Sequence, residues 1–235
     1  MSLEGLGRVY VEDERDENYP MRSVLPSRVG NVWRYWHANG WWGDQGQTPK
    51  CVPYSWAHYV EDGPVTYTDT PHGTEGGHIR GTFLGAEPAF DITLGYNWMQ
   101  RNDYWEGTDY DGTSVRAGAK YLREQRLIEG YYWAWNVDDV VTALLEKGPV
   151  VVGTMWYMDM FTPDKEDIIT IGGGAAGGHA YLLNGVNTER GLIRLKNSWG
   201  RNWGRRGHAY IPIEEMDTLI RDYGESCIAI PRSVD

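Results

Sequence analysis

The period of the apolar residues changes once, near Gly148-Pro149, and that change constrains the fold more than any other feature. Before it, apolar residues recur at helical spacing in three places. Val52, Trp56, Tyr59 and Val60 follow Cys51 and stop at Gly63-Pro64; Val115, Ala119, Tyr121 and Leu122 lie within 113–126 behind a Thr113 or Ser114 cap; a third run over 137–146 is capped by Asn136. After it come short β-type runs at 149–155, 180–186, 192–196, 208–213 and 227–230, with Gly or Asn turns between several of them. Helices followed by strands predict an α+β fold, with a mainly helical half over 21–135 and a mainly antiparallel β half over 136–235. Residues 61–113, rich in Gly, Thr, Asp and Pro, read as loops around short elements. Residues 1–20 are acidic and poor in apolar groups, and read as a loosely held arm too short for an inhibitory pro-domain.

At 235 residues the chain can bury a full core without metal or disulfide staples. A formal net charge of −11 argues against a nucleic acid or anionic-membrane partner, because phosphate contacts need clustered Lys and Arg and the only cluster is Arg201, Arg205 and Arg206. The polar, acidic N-terminus has no signal-peptide core and no long apolar window follows, so the expected location is cytoplasmic. Two cysteines exclude a disulfide framework and fit a reducing compartment. Cys227, within a short apolar run, reads as a buried strand thiol, whereas Cys51 opens a helix. There the unpaired N–H groups and the dipole favour a thiolate, and Pro53 is tolerated because the first turn loses no hydrogen bond to it.

Three segments carry the chemistry: Gly43 through Cys51, Gly177-Gly178-His179-Ala180, and Lys196-Asn197-Ser198-Trp199-Gly200 followed by Trp203-Gly204. A Cys with a His and an Asn far downstream is what a thiol nucleophile, its base and the base's orienting group require. This set resembles the papain-like cysteine peptidases, in which a helical half and a β half face each other across a cleft. The resemblance spans roughly residues 25–230 and implies peptide-bond hydrolysis, with Cys51 as nucleophile, His179 as base and Asn197 as its orienting partner. By the same matching Gln45, six residues before Cys51, is an oxyanion donor with the Cys51 N–H, and Trp199 shields the His–Asn bond from water. Gly112 and Gly178 match the segments whose backbone pairs with substrate. The departures are Val52 where the family has Trp after the nucleophile, and the missing disulfide cysteines, which suggest a divergent disulfide-free branch of the kind found in bacterial or viral proteins.

No cofactor is implied, and the partners are a peptide or protein substrate and, as a second class, a proteinaceous inhibitor. His72, Glu75 and His78 give no recognised ligand spacing, so no metal is expected. His37, His58 and His208 read as surface or packing residues. Aromatic residues around Trp41, Trp42, Tyr131 to Trp135 and Trp156 hint at an apolar or aromatic subsite. The rival readings are an amidase, deamidase or transpeptidase with the same site, and an inactive peptide-binding protein that keeps the fold.

Overall fold

The computed structural model describes residues 5–36, 41–63 and 89–232. In chain order its elements are β1 (Trp33–Tyr35), α1 (Cys51–Asp62), α2 (Ile92–Asn102), α3 (Val115–Glu124), β2 (Ile128–Ala134), α4 (Val137–Glu146), β3 (Val150–Tyr157), β4 (Ala175–Asn187), β5 (Leu192–Lys196), β6 (His208–Pro212), α5 (Ile213–Arg221) and β7 (Glu225–Pro231). Local chemistry explains most boundaries. Asp91, Ser114 and Asn136 cap α2, α3 and α4 by accepting first-turn N–H groups, and α1 stops at Gly63.

The strands form one antiparallel sheet in the order β2-β7-β3-β4-β5-β6, with β1 on β4. Both faces are covered, which is why these strands read as apolar runs and not as alternating ones. Val151, Ala180, Leu182, Cys227 and Ala229 face the core built on α1, α2 and α3. Their neighbours Val150, Val152, Tyr181, Leu183 and Ile228 face the core that holds residues of α4 and α5, as the alternation of a strand requires. The two halves interlock at the edges: β1 and β2 come from the first half yet join the sheet, and α5 belongs to the second.

The segment 61–113 contains α2, an eleven-residue helix where loops were expected. The arm is not loose either. Arg8 bridges Thr113 and Pro20 bridges Trp133, residues 14–18 form a 3-10 turn, and Asp16 is buried against Arg116. Two of its carboxylates, Asp13 and Asp16, pair with the Arg116 guanidinium. His37, His72, Glu75 and His78 lie outside the described residues. Among the described residues no helix is long and apolar enough to cross a membrane.

Candidate active site

Cys51 is the first residue of α1, where its own N–H has no intrahelical acceptor. Its sulfur lies at the seam of the two halves, with the N–H groups of Ala180 and Val52 directed at it. Ala180 follows His179 on β4, so the strand that supplies the imidazole also borders the thiol. His179 Nε2 meets Asn197 Oδ1 at 2.8 Å, and the same oxygen accepts the Ser198 N–H at 2.8 Å. Two donors on one oxygen fix the tautomer: Nε2 carries the proton and Nδ1 keeps its lone pair. Nδ1 is buried and has no hydrogen-bond partner among the described residues. Trp199 stacks on the imidazole at 4.8 Å and 20°, and Trp156 meets it edge-on at 4.9 Å.

Gln45 is held by its neighbours on both sides. Its backbone N–H donates to Ser198 O at 2.8 Å, its Oε1 accepts the Ser198 hydroxyl, and its Nε2 donates to Thr48 O at 2.7 Å. An amide nitrogen has two hydrogens, so one remains for a ligand. Gly200 N–H to Gly43 O at 3.0 Å and a bridge between Asp44 and Trp199 fasten the loop before Cys51 to the loop after Asn197. The sequence-predicted Cys51, His179, Asn197, Trp199 and Gln45 thus gather at one seam.

What the sequence did not reveal is that the arm crosses this seam. Gly7 and Arg8 N–H groups both donate to Gly178 O at 3.1 Å, Thr113 N–H donates to Gly7 O at 3.0 Å, and Val9 N–H donates to Thr113 O at 3.0 Å. Trp199 Nε1 donates to Gly5 O at 3.2 Å. The arm therefore bonds to both walls, with Gly178 on one and Thr113 on the other. Gly112 spends its N–H on Tyr96 Oη at 2.8 Å, and its bare Cα admits the arm: a Cβ there would lie 2.3 Å from Gly7 O. Gly178 is bare for the same reason, with a Cβ falling 2.1 Å from Arg8 O.

With the arm in place Cys51 and His179 are both fully buried. Burial pushes the thiol up to about 12, against the pull of the Ala180 and Val52 N–H groups. Burial holds the imidazole down to about 4, with the Asn197 bond acting in the opposite direction. In this state burial favours the neutral form of both groups, and a neutral thiol is a poor nucleophile.

The sequence profile described as papain family cysteine protease matches residues 72–219, more than half of the chain. The chain belongs to the papain family. The matched stretch holds His179 and Asn197, while Cys51 and Gln45 precede it. This papain-family chain is a cysteine peptidase, and its substrates are peptides or proteins. It is similar in fold to xylellain, a cysteine protease from Xylella fastidiosa, at 17% identity and a TM-score of 0.70, covering 99% of this chain and 98% of that one. Procathepsin L 3 from the larval midgut of Tenebrio molitor aligns at 15% identity and a TM-score of 0.62, covering 97% and 76%. The bromelain protease of Ananas comosus aligns at 14% identity and 0.57, covering 86% and 100%. No curated protein sequence matches.

Of the aromatic residues expected to form a subsite, Trp135 is exposed and the others pack. Tyr131, Tyr132 and Trp133 belong to β2 and pair with β7; Trp41 stacks on Tyr54; Trp42 lies over Lys196 and Arg201. Trp156 backs the imidazole. His58 and His208 are both buried, in a polar cluster of α1 and β4 to β6 that also holds Asp62, Asn184 and Lys196.

Proposed function

We propose that the papain-family peptidase works through a thioester on Cys51, with His179 carrying the proton, Asn197 orienting it and Gln45 donating to the oxyanion. The observation that carries this reading is the fixed tautomer of His179, whose free Nδ1 lies on the strand that borders the Cys51 sulfur. Nδ1 takes the thiol proton and the sulfur attacks the substrate carbonyl carbon. The negative oxygen is met by the Cys51 N–H at the helix start and the second Gln45 amide hydrogen. His179 then protonates the leaving amine as the C–N bond breaks. Water enters, gives a proton to Nδ1 and attacks the thioester; the C–S bond breaks, the acid leaves, and Nδ1 returns its proton to the Cys51 sulfur. The Trp199 ring on the imidazole keeps water from the Asn197 bond throughout.

The arm makes the form described here latent, because it takes the backbone positions of a substrate and keeps thiol and imidazole dry. Gly7 offers a way to open it: a Cβ there would sit 2.3 Å from Pro49 O, so Gly7→Ala in the full chain displaces the arm without touching Cys51, His179 or Asn197. A peptidyl epoxide is expected to label Cys51 in Gly7→Ala at neutral pH at least about tenfold faster than in wild type, since apparent reactivity scales with the open fraction. Adding Cys51→Ala abolishes the label and adding His179→Ala slows it. Label on Cys227, or none on a Gly7→Ala chain whose circular dichroism matches wild type, overturns the assignment.

A further inference from the structure

The imidazole of His179 has a third support besides the Asn197 bond and the Trp199 stack. In the ladder between β3 and β4, Thr154 stands opposite His179 and Trp156 opposite Gly177, so Thr154, Trp156, His179 and Tyr181 share one face of the sheet. Thr154 is too short to brace the ring, and its hydroxyl is spent. It donates to Met155 O at 3.0 Å and therefore accepts from Tyr181 Oη, also at 3.0 Å. The diagonal neighbour reaches instead, as aromatic side chains on adjacent strands can. Trp156 lies 4.9 Å from the His179 ring at 75°, 5.4 Å from Tyr181 at 72° and 5.3 Å from Trp199 at 87°. Trp199 and Tyr181 are themselves within 20° and 29° of the imidazole plane, so Trp156 stands crosswise to all three. At 5.3 Å, Trp156 and Trp199 are too close to sit on opposite faces of the imidazole, which places Trp156 against its side.

The indole comes at a cost in stability. Trp156 is fully buried, and its Nε1–H has no acceptor among the described residues. A phenylalanine would bury no polar atom here, so what the indole adds is reach. The need for reach follows from the histidine itself. The second side-chain torsion of a histidine has broad wells, and a ring tied at Nε2 can turn in its own plane about that bond. Such a turn carries Nδ1 away from the Cys51 sulfur. A parallel ring does not oppose it, because the imidazole slides along the Trp199 face; a ring standing crosswise at its side does. We propose that Trp156 is a positioning residue of the reaction, stopping that turn and keeping Nδ1 on the thiol. This rests on the reading of the site given above.

The test takes the full-length Gly7→Ala chain as reference and titrates active sites with the peptidyl epoxide, so that rates refer to competent molecules. Trp156→Leu should lower kcat about 10- to 100-fold, the loss that follows when a reacting group is misplaced by about 1 Å, with KM within about twofold. Trp156→Phe keeps a smaller crosswise ring and removes the unpaired N–H, so it should fold at least as well and lose only about two- to fivefold in kcat. In nitrogen-15 spectra of histidine-labelled protein, the His179 ring signals, assigned by their loss in His179→Gln, should be sharp in the reference and broadened by exchange in Trp156→Leu. A Trp156→Leu kcat within about twofold of the reference, or a loss confined to KM or to the titrated fraction, overturns the positioning role and leaves the peptidase site standing. If Trp156→Leu does not fold, Trp156→Phe decides, and a kcat equal to the reference overturns the proposal. A reference chain that neither cuts peptides nor labels at Cys51 overturns the site and the role of Trp156 with it.

Discussion

Lys196 and Asn197 are consecutive and both wholly buried, yet they enter two different histidine clusters. Lys196 Nζ pairs with Asp62 Oδ1 at 3.0 Å, and Asn184 Nδ2 donates to Asp62 Oδ2 at 2.9 Å and meets His208 Nε2 at 3.3 Å. Arg194 Nε closes on Asn184 Oδ1 at 2.9 Å. This cluster ties the end of α1 to the sheet. Burial, first, and then its cations keep both histidines neutral: His58 is pushed well below its usual range, and His208 down to about 3. One residue along, Asn197 meets a histidine whose downward shift comes from burial, opposed by the Asn197 bond itself. The arm bonds to Trp199, the ring stacked on this imidazole. The first shift arises inside a charged cluster of the core; the second, we propose, relaxes when the arm leaves.

The comparison breaks most visibly in activity. In the open Gly7→Ala chain, His179→Ala is expected to lower kcat/KM about 10²- to 10⁴-fold, the usual contribution of a general acid-base group, with little change in Tm. His208→Ala should leave the rate per folded molecule within a few-fold and lower Tm instead. Equal losses of rate would merge the two clusters into one. Stability gives the converse. Lys196→Met takes the ammonium away from the buried Asp62 carboxylate, and breaking such a pair costs about 3–5 kcal/mol in denaturant unfolding. Lys196→Met with Asp62→Asn should recover much of this, and a loss that persists in the double variant would mean that the lysine stem, not its charge, holds the site.

Much of this arrangement was legible before any coordinates. The Cys51 helix start with Pro53 in its first turn, the Ser114 and Asn136 caps and the five β runs rest on local chemistry, and each stands where that chemistry put it. The gathering of Gln45, Cys51, His179 and Asn197 came from family resemblance, since nothing local brings them together. What escaped has physical reasons. Gly95 sits inside α2, where a Cβ would fall 2.9 Å from the Phe90 ring, so a packing choice added to the glycine content that made 61–113 read as loops around short elements. The aromatic run of β2 looked like a cleft lining, yet it pairs with β7. The arm looked solvated because its partners, Arg116, Thr113, Gly178 and Glu225, lie far away in the chain. The Asp62 cluster likewise joins residues more than a hundred positions apart.

A pH series sharpens the contrast. A histidine depressed in the folded state binds its proton first in the unfolded chain, so its contribution is complete above about pH 6.5 and is lost as the pH falls. The stability advantage of wild type over His208→Gln should therefore shrink by up to about 1.4 kcal/mol per pH unit between pH 6.5 and the folded value near 3. That slope should be the same with the arm in place or displaced. For His179→Gln a similar decline, between pH 6.5 and about 4, should appear in the latent chain and flatten in Gly7→Ala, where water reaches the imidazole. An unchanged His179 slope in the open chain would mean that the core, not the arm, keeps the ring dry.

The smallest expected effect separates two tryptophans. Trp199 stacks on His179 and also gives its Nε1–H to Gly5 O at 3.2 Å, whereas Trp42 lies over Lys196 and Arg201 in the other cluster. Trp199→Phe keeps an aromatic face for the imidazole but removes one hydrogen bond to the arm, worth about 1 kcal/mol. In the otherwise latent chain, epoxide labelling of Cys51 should accelerate about fivefold, the factor that such a loss gives to the open fraction. Trp42→Phe, in the other cluster, should leave labelling at the wild-type rate. Acceleration by both would mean that the arm responds to general loosening of the fold, and the latent state would then owe little to the bond between Trp199 and Gly5.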